Sequence, residues 1–228
     1  MKNFNILLVL FSQIVVAQSN FEKAEKLFQQ KQFDQAKPLL ENEYKNKPND
    51  AKVVEYLGDI AGHQKQWDNA LFYYTKLRDK NPKSANYQFK YGGALGMKAK
   101  NSNKFKALGM IDDVKEAFET AAKLDSKHIE CRWALVVLYI ELPGIIGGSE
   151  SKAQKYANEL LTLSKVDGYL AKGYIDVYFK RFDKAEVNYK KAHEIGHSKI
   201  TFEKLYDLYL NKLKNKEKAQ KLKTDFNT

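Results

Sequence analysis

Cysteine is nearly absent from this chain: Cys131 is the only one in 228 residues. A single cysteine has no partner for an internal disulfide, so the fold must be stabilised by the burial of apolar side chains. Cys131 lies in an apolar helical segment, IECRWALVVLY, where a small packed side chain is the simplest interpretation. The sequence therefore predicts neither a disulfide scaffold nor a reactive thiol.

Arginine is almost as scarce. Only three of the 39 basic residues are arginine, although the net charge is +11. Nucleic-acid-binding domains concentrate basic residues on one face, whereas the lysines here are spread through every segment. Dispersed lysine is typical of a solvated helix surface, so we expect no nucleic-acid partner. A weak, salt-sensitive attraction to anionic lipid headgroups or acidic polymers stays open.

Long apolar runs are absent after the first 17 residues, MKNFNILLVLFSQIVVA. This opening segment has Lys2 near its start, then an apolar stretch, then Val15 and Ala17 before a polar residue, which is the pattern of a secretory signal peptide. A membrane span needs roughly 20 apolar residues, and Ser12 and Gln13 interrupt this shorter run; an uncleaved anchor is the alternative. We predict cleavage after Ala17 and a periplasmic or secreted mature chain without a membrane span.

Residues 51–84, AKVVEYLGDIAGHQKQWDNALFYYTKLRDKNPKS, carry the clearest internal pattern. The second half of this stretch places four residues three, four and three positions apart, on one face of a helix: Trp67, Ala70, Tyr74 and Leu77. The same landmarks recur 34 residues away, where the matched pairs are Phe33 and Trp67, Pro48 and Pro82, and Gly58 and Gly92. Paired amphipathic helices at a fixed period indicate a solenoid repeat. No segment alternates with period two for long enough to predict a strand.

These landmarks resemble those of the tetratricopeptide repeat (TPR) family, in which small residues such as Gly58 and Ala70 lie where two helices cross and large residues pack around them. The resemblance implies an all-α fold, a right-handed superhelical solenoid of antiparallel helix pairs with about five repeats and C-terminal capping helices. The expected organisation is a single solenoid over residues 18–228, with repeats near 19–48, 51–84, 85–126, 129–165 and 167–198 and a cap at 199–228.

Two segments depart from the regular spacing. In repeat three the second helical pattern comes about ten residues late, so we predict that residues 98–110 lengthen both helices, with Asn101–Asn103 as the turn. In repeat four, the sequence ELPGIIGGSES predicts a long loop, with Ser149 as the N-cap of the next helix. The loop is rich in glycine, but it lacks the Gly-Lys-Ser/Thr ending and the preceding strand of a phosphate-binding loop.

One stretch, HEIGH at 193–197, matches a catalytic motif. In the H-E-x-x-H pattern two histidines bind zinc and the glutamate acts as a base. The repeat spacing, however, places His197 where Pro82 lies in repeat two, just past the end of the helix. We therefore expect His193 and His197 not to share a helix face, and no third ligand is evident. A zinc-dependent hydrolase that uses His193, Glu194 and His197 is the least favoured of the functions considered.

The resemblance also implies a concave groove lined by the first helix of each repeat. The lining candidates carried over by register are Glu55, Asp59, His63, Phe89, Met97, Trp133, Val137, Tyr174 and Tyr178, with Ile140 and Leu170 as further matches. The groove is therefore expected to be acidic at repeat two and aromatic or aliphatic at repeats three to five. Some TPR proteins clamp a C-terminal carboxylate with lysine and asparagine, but Glu55 and Asp59 occupy those places here. An apolar groove suits an amphipathic helix or an extended apolar peptide.

These features favour an exported scaffold that binds a protein or peptide partner through its groove, without a cofactor and without enzymatic chemistry. An architectural subunit of an envelope assembly is the second hypothesis. In that case residues 98–110 or the closing helices fill the groove and cover Trp133 and Tyr174. No motif places a Ser-His-acid or Cys-His set, so no catalytic residue is predicted.

Overall fold

The computed structural model describes residues 20–227, and the predicted signal peptide lies outside this range. Within it the chain is helical and has no β-strand, as the spacing of its apolar residues predicts. The α-helices in chain order are α1 (Asn20–Gln29), α2 (Phe33–Asn46), α3 (Ala51–His63), α4 (Trp67–Lys80), α5 (Ala85–Lys100), α6 (Lys104–Leu124), α7 (Ile129–Glu141), α8 (Glu150–Leu163), α9 (Lys165–Tyr178), α10 (Phe182–Gly196), α11 (Lys199–Asp207) and α12 (Lys216–Asn227). A 3₁₀ turn (Gly144–Ile146) precedes α8, and a π-helical turn (Leu208–Lys212) follows α11.

The helices α1 to α10 form five antiparallel pairs, and each pair packs against the next. The helices α11 and α12 close the C-terminal end, with the π-helical turn between them. Packing between neighbours in the sequence is the defining property of a solenoid. The predicted all-α superhelix with C-terminal capping helices is confirmed.

Among residues 20–227, none of the helices combines the length and the hydropathy that a bilayer crossing requires.

Two glycines let the helices of a pair approach closely. A Cβ atom added at Gly58 would lie 2.6 Å from Cε1 of Tyr74, and one added at Gly173 would lie 2.2 Å from Cε1 of Tyr189. Both distances are shorter than van der Waals contact permits, so each tyrosine ring occupies the space that a larger residue would need. The expected small residues at helix crossings are therefore present in repeats two and five.

Side-chain hydrogen bonds join repeats one and two, two and three, and four and five. They connect residues 31 to 34 positions apart: Lys90 to Asp59, Lys76 to Tyr44, Tyr174 to Glu141 and Trp133 to Asp167. This separation is close to the repeat period, so nearly equivalent positions of neighbouring repeats meet in space.

Repeat three is enlarged because both of its helices are extended. The helix α5 has 16 residues and α6 has 21, and residues 101–103 form the turn between them. The side chain of Asn103 caps α6 by accepting a hydrogen bond from the backbone N–H of Lys106 at 3.0 Å. The extended ends pack on each other, and Phe105 is 88% exposed. The predicted lengthening is confirmed, and we call the extended ends, residues 98–110, the projection of repeat three.

The loop of repeat four is closed by its own hydrogen bonds. Ser149 caps α8 as predicted, because its hydroxyl oxygen accepts a hydrogen bond from the backbone N–H of Lys152 at 3.3 Å. Gly147 has a φ of 98°, a conformation that favours glycine. The N–H of Gly147 donates to the carbonyl of Gly144, and that of Gly148 donates to the carbonyl of Pro143. These donors are already used, so the loop does not offer the free N–H groups that cradle a phosphate.

Candidate functional site

The groove candidates all lie on the first helix of a repeat. The helix α3 carries Glu55, Asp59 and His63, α5 carries Phe89 and Met97, α7 carries Trp133 and Val137, and α9 carries Tyr174 and Tyr178. The candidates of each helix are spaced by four or eight residues, which places them on one face of that helix.

The acidic part of the groove is a closed polar network. The ammonium group of Lys90 on α5 lies 2.8 Å from a carboxylate oxygen of Glu55 and 2.5 Å from one of Asp59. The hydroxyl of Tyr74 donates to Asp59 at 2.7 Å, and the side-chain amide of Asn86 donates to Glu55 at 3.0 Å. The two carboxylates of repeat two therefore share one lysine of repeat three and accept further hydrogen bonds from neutral donors.

Lys90 is the residue that register-based reasoning missed. It lies 31 residues after Asp59, the same separation that joins other neighbouring repeats. Burial raises the pKa of the Tyr74 phenol well above its usual range, and the Asp59 carboxylate raises it further. The phenol therefore stays protonated and donates to Asp59 at physiological pH. The acidic side chains at this end of the groove are therefore already engaged by groups of the protein itself.

His63 belongs to the contact between the first two repeats. Its ring stacks on Phe33, with a centroid distance of 4.5 Å and an interplanar angle of 16°. The second aromatic neighbour, Phe28, lies 6.5 Å away in an edge-on arrangement. One face of the imidazole is thus covered, although the residue remains exposed at the rim.

The α5 part of the groove contains an open space. The ring of Phe89 packs against Phe118 and His128, at centroid distances of 5.8 and 4.9 Å. One turn further along α5, a Cβ atom added at Gly93 would meet no atom within 4 Å. Met97, one turn further again, is exposed. The structure thus brings a half-buried aromatic ring, a vacant position and a flexible apolar side chain onto one helix face.

The aromatic residues of α7 and α9 are held in place by hydrogen bonds. The indole N–H of Trp133 donates to Oδ1 of Asp167 at 2.8 Å, and the hydroxyl of Tyr174 donates to Oε1 of Glu141 at 3.1 Å. Burial raises the pKa of Tyr174 to about 12, and Glu141 contributes further. Both rings are partly buried against the core, as is Val137. Their remaining exposed surface is fixed in orientation.

Two of the further groove matches are wrong. Ile140 is 3% exposed and Leu170 is 8% exposed, and each packs in a core cluster. The register of α7 was inferred from one helix alone, and the side chain of Leu170 faces the closing helices. Tyr178, by contrast, is exposed at the end of α9, where its ring meets Phe179 edge-on at 5.2 Å.

The H-E-x-x-H stretch lies at the end of α10. His197 is the first residue past the helix, as the repeat spacing predicts, and has a φ of 40°. The two histidines therefore do not share a helix face, as expected, although their ring centroids lie 5.8 Å apart. Nδ1 of His193 lies 3.1 Å from the hydroxyl oxygen of Thr201, and its ring lies 5.9 Å from that of Phe226.

Burial lowers the pKa of His193, and the neighbouring His197 lowers it further. Glu194 is exposed. In the part of the chain that the structure describes, no three His, Cys, Asp or Glu side chains are arranged to hold a metal ion. The geometry therefore gives the zinc-hydrolase hypothesis no support.

No protein-family model matches the chain, and no curated protein matches it. Solved structures with a similar fold include a thermophilic TPR protein of Thermus thermophilus, with a TM-score of 0.66 and 16% identity over 86% of this chain and 96% of that one. A TPR protein of Parabacteroides merdae has a TM-score of 0.64 and 17% identity over 89% of this chain and 75% of that one. PilW, described as a type IV pilus biogenesis factor, has a TM-score of 0.68 and 14% identity over 90% of both chains. At these identities the likeness shows the fold, which is that of a TPR solenoid.

Proposed function

We propose that this protein is an exported adaptor, periplasmic or secreted, that binds a peptide segment of a protein partner in its concave groove. The observation that carries the proposal is the open space at Gly93, between Phe89 and Met97 on one face of α5. The function is association on a preformed surface, with no catalytic step and no cofactor.

The residues around this space indicate the chemistry of the peptide. Phe89, Met97, Trp133 and Val137 offer aromatic and aliphatic surface on two neighbouring first helices. The apolar face of an amphipathic helix, or an extended apolar segment, complements such a groove. Because the Trp133 indole is already held by its bond to Asp167, binding requires little further ordering of that ring.

The cellular location rests on two supports. The opening segment MKNFNILLVLFSQIVVA has the pattern of a cleavable secretory signal. One structural neighbour, PilW, is described as a type IV pilus biogenesis factor. We therefore place the partner in the cell envelope or outside the cell.

The test blocks the groove by adding a side chain instead of removing one. No atom lies within 4 Å of a Cβ added at Gly93, so a Gly93→Trp variant should carry its indole in the open space while the fold persists. Gly109→Trp is the matched control, because position 109 is equally open but lies on α6, the second helix of repeat three. Wild type and both variants serve as baits in envelope extracts, with bound proteins identified by mass spectrometry and the fold checked by circular dichroism.

We expect at least one protein to be retained by wild type and by Gly109→Trp but lost with folded Gly93→Trp. A second variant, Trp133→Ala, should weaken retention of the same protein. If the groove-intact and groove-blocked baits all retain the same proteins, the concave groove is not the binding surface and the proposal fails.

A further inference from the structure

The turns between the two helices of each repeat lie along one edge of the solenoid. We call this the turn edge; it comprises residues 30–32, 64–66, 101–103, 142–149 and 179–181 of the repeats, together with residues 213–215 of the C-terminal cap. Contacts join successive turns: Gln64 to Asp34 at 2.9 Å, Lys98 to Asp68 at 2.6 Å, Lys100 to Glu141 at 3.7 Å, and Arg181 to Glu150 at 2.6 Å. The turns are therefore neighbours in space although a whole repeat separates them in the chain.

Lysine is concentrated on the turn edge. Four of the turns hold a lysine at positive φ, which strains any residue except glycine: Lys31, Lys65, Lys180 and Lys214. The segment 98–110, around the turn of repeat three, has no acidic residue and contains four further lysines: Lys98, Lys100, Lys104 and Lys106. Of this second set, only Lys98 and Lys100 reach an acidic partner within the described part of the chain. The projection of repeat three is therefore strongly positive.

The positions of Lys104 and Lys106 are unfavourable for the helix that carries them. Both lie in the first turn of α6, where the helix dipole favours negative charge, and this turn has no acidic residue. In contrast, Asp68 lies in the first turn of α4 and Asp183 in that of α10. Lysines that oppose the helix dipole without a gain in packing indicate a role in binding rather than in stability.

Large apolar side chains project beside these lysines. Phe105, between Lys104 and Lys106, is 88% exposed, and Leu108 on the next turn of α6 is also exposed. On the neighbouring turn of repeat four, Ile145 is 96% exposed. Apolar tips flanked by lysines are typical of segments that bind at the membrane interface.

Ile145 is presented on a fixed loop. The N–H of Ser149 donates to the carbonyl of Tyr139 at 2.8 Å and closes the loop at its base. A Cβ atom at Gly148 would lie only 1.8 Å from the carbonyl oxygen of Leu142, so the chain doubles back tightly at that point. Because the loop is closed, docking of Ile145 requires little ordering of the backbone.

We propose that the turn edge docks onto an anionic lipid surface. The lysines at 98–106 contact headgroup phosphates, while Phe105 and Ile145 enter the boundary between headgroups and acyl chains. Charge complementarity alone also fits a nucleic acid or an acidic protein. The two separate apolar tips favour lipid, because a hydrocarbon layer accepts both projections without a matching pocket for each.

This surface is distinct from the concave groove. Phe105 and Ile145 lie on an extended helix end and on a loop between helices, whereas the groove candidates lie on the first-helix faces. A partner peptide in the groove and a membrane at the turn edge are therefore compatible, and the inference does not depend on the proposed function.

The experiment measures binding of the purified chain to lipid vesicles by flotation. Vesicles of phosphatidylcholine with about 30% phosphatidylglycerol are compared with vesicles of phosphatidylcholine alone. We expect binding to the anionic vesicles at about 0.05 M NaCl, and a clear loss at about 0.5 M, because salt screens the attraction. Each variant is made in the same chain, so a contribution from the apolar opening segment is common to all of them.

Two double variants separate the contribution of the lysine charges from that of the apolar side chains that enter the membrane. Lys104→Glu/Lys106→Glu should weaken binding to anionic vesicles by at least about tenfold, and Phe105→Ser/Ile145→Ser should weaken it severalfold. The matched controls are Lys221→Glu/Lys223→Glu on exposed positions of α12, and Phe72→Ser, whose side chain is 60% exposed on α4. Both controls should bind like wild type.

Insertion of position 105 into the membrane is measured separately, with a fluorescent label. Because Cys131 is buried, a Phe105→Cys variant can be labelled selectively with a polarity-sensitive dye. The dye should shift to shorter wavelengths on anionic vesicles, whereas a dye at Phe72→Cys should not. Three results would each overturn the proposal: no binding by wild type, equal binding by wild type and both double variants, or loss in the lysine variant alone without a dye shift. The last result would identify a purely ionic surface for an acidic polymer.

Discussion

The two halves of the groove are built from different interactions. At repeats two and three, Glu55 and Asp59 are joined to Lys90 by ion pairs. At repeats four and five, Trp133 and Tyr174 are packed rings, each anchored by one hydrogen bond to the neighbouring repeat. Both arrangements join one repeat to the next, but only the first depends on charge.

The two halves also differ in how far contacts within the protein occupy their side chains. The carboxylates of repeat two, Glu55 and Asp59, accept hydrogen bonds from Asn86 and Lys90 of α5. The main role of these carboxylates is therefore to hold α3 against α5. The rings of repeats four and five are only partly buried after their polar atoms are satisfied. Equivalent groove positions therefore stabilise the fold through charge at one end and through packed rings with single hydrogen bonds at the other.

The largest expected effect comes from the helix crossings in each half. Gly173→Ala should lower the free energy of unfolding by about 2–3 kcal/mol, because the new methyl group overlaps the buried ring of Tyr189. Gly58→Ala should cost less, since its Cβ would lie 2.6 Å rather than 2.2 Å from the facing ring. Urea unfolding followed by circular dichroism measures both.

Gly93→Ala is the control for these crossings. No atom lies within 4 Å of its added Cβ, so alanine should stabilise α5 by about 0.5–1 kcal/mol through its helix propensity. If Gly93→Ala destabilised the protein as much as Gly173→Ala, the open space in the groove would be refuted.

The next largest effect tests the charged half. Lys90→Met leaves two carboxylates uncompensated one helical turn apart, and should lower the free energy of unfolding by about 1–2 kcal/mol. The deficit should shrink as NaCl is raised, because salt screens their repulsion. Lys52→Met, at an exposed position of α3, should change stability by less than about 0.5 kcal/mol. A deficit in Lys90→Met that does not respond to salt would contradict the ionic description.

A smaller effect tests the aromatic half. Trp133→Phe removes the indole N–H that donates to Asp167 and should lower the free energy of unfolding by about 1 kcal/mol. Unlike the Lys90 variant, it should lose the same amount at low and high salt. Trp67→Phe is a fair comparison, because the Trp67 indole donates to no protein group among residues 20–227. Equal losses at both tryptophans would show that the bond to Asp167 adds nothing.

The smallest effect concerns pH and arises at the end of repeat five. Burial lowers the pKa of His193 in the folded state, with His197 adding to the shift. The folded state thus binds this proton more weakly than the unfolded state, so stability is complete above about pH 6.5 and falls as the pH decreases. Denaturant midpoints at several values between about pH 5 and pH 8 should show this slope. It should flatten in His193→Gln and less so in His197→Gln, and an unchanged slope in His193→Gln would refute the assignment.

The fold was predictable because one period governs the chain. Spacing located the helix pairs and the lengthened helices of repeat three, and residue type located the cap at Ser149. The site was less predictable, because a register says which face a residue occupies and nothing about what meets it there. Lys90 was missed although it lies 31 residues from Asp59, and Leu170 was misplaced because the closing helices bury it.

The pair His193 and His197 shows the same limit of predictions made from the repeat spacing. The spacing placed His197 beyond the helix, which is correct. It gave no information on the φ of His197, which is 40°, or on the 5.8 Å between the centroids of the two rings, because both depend on the local conformation of one helix end.

The 31-to-34-residue hydrogen bonds have a mechanical consequence. Each bond ties a repeat only to its immediate neighbours, so no clamp holds the two ends of the described stack together. Pulled from its termini, such a chain yields one repeat at a time, and bending is shared among many small interfaces. The curvature of such a stack can therefore change through small adjustments at each interface.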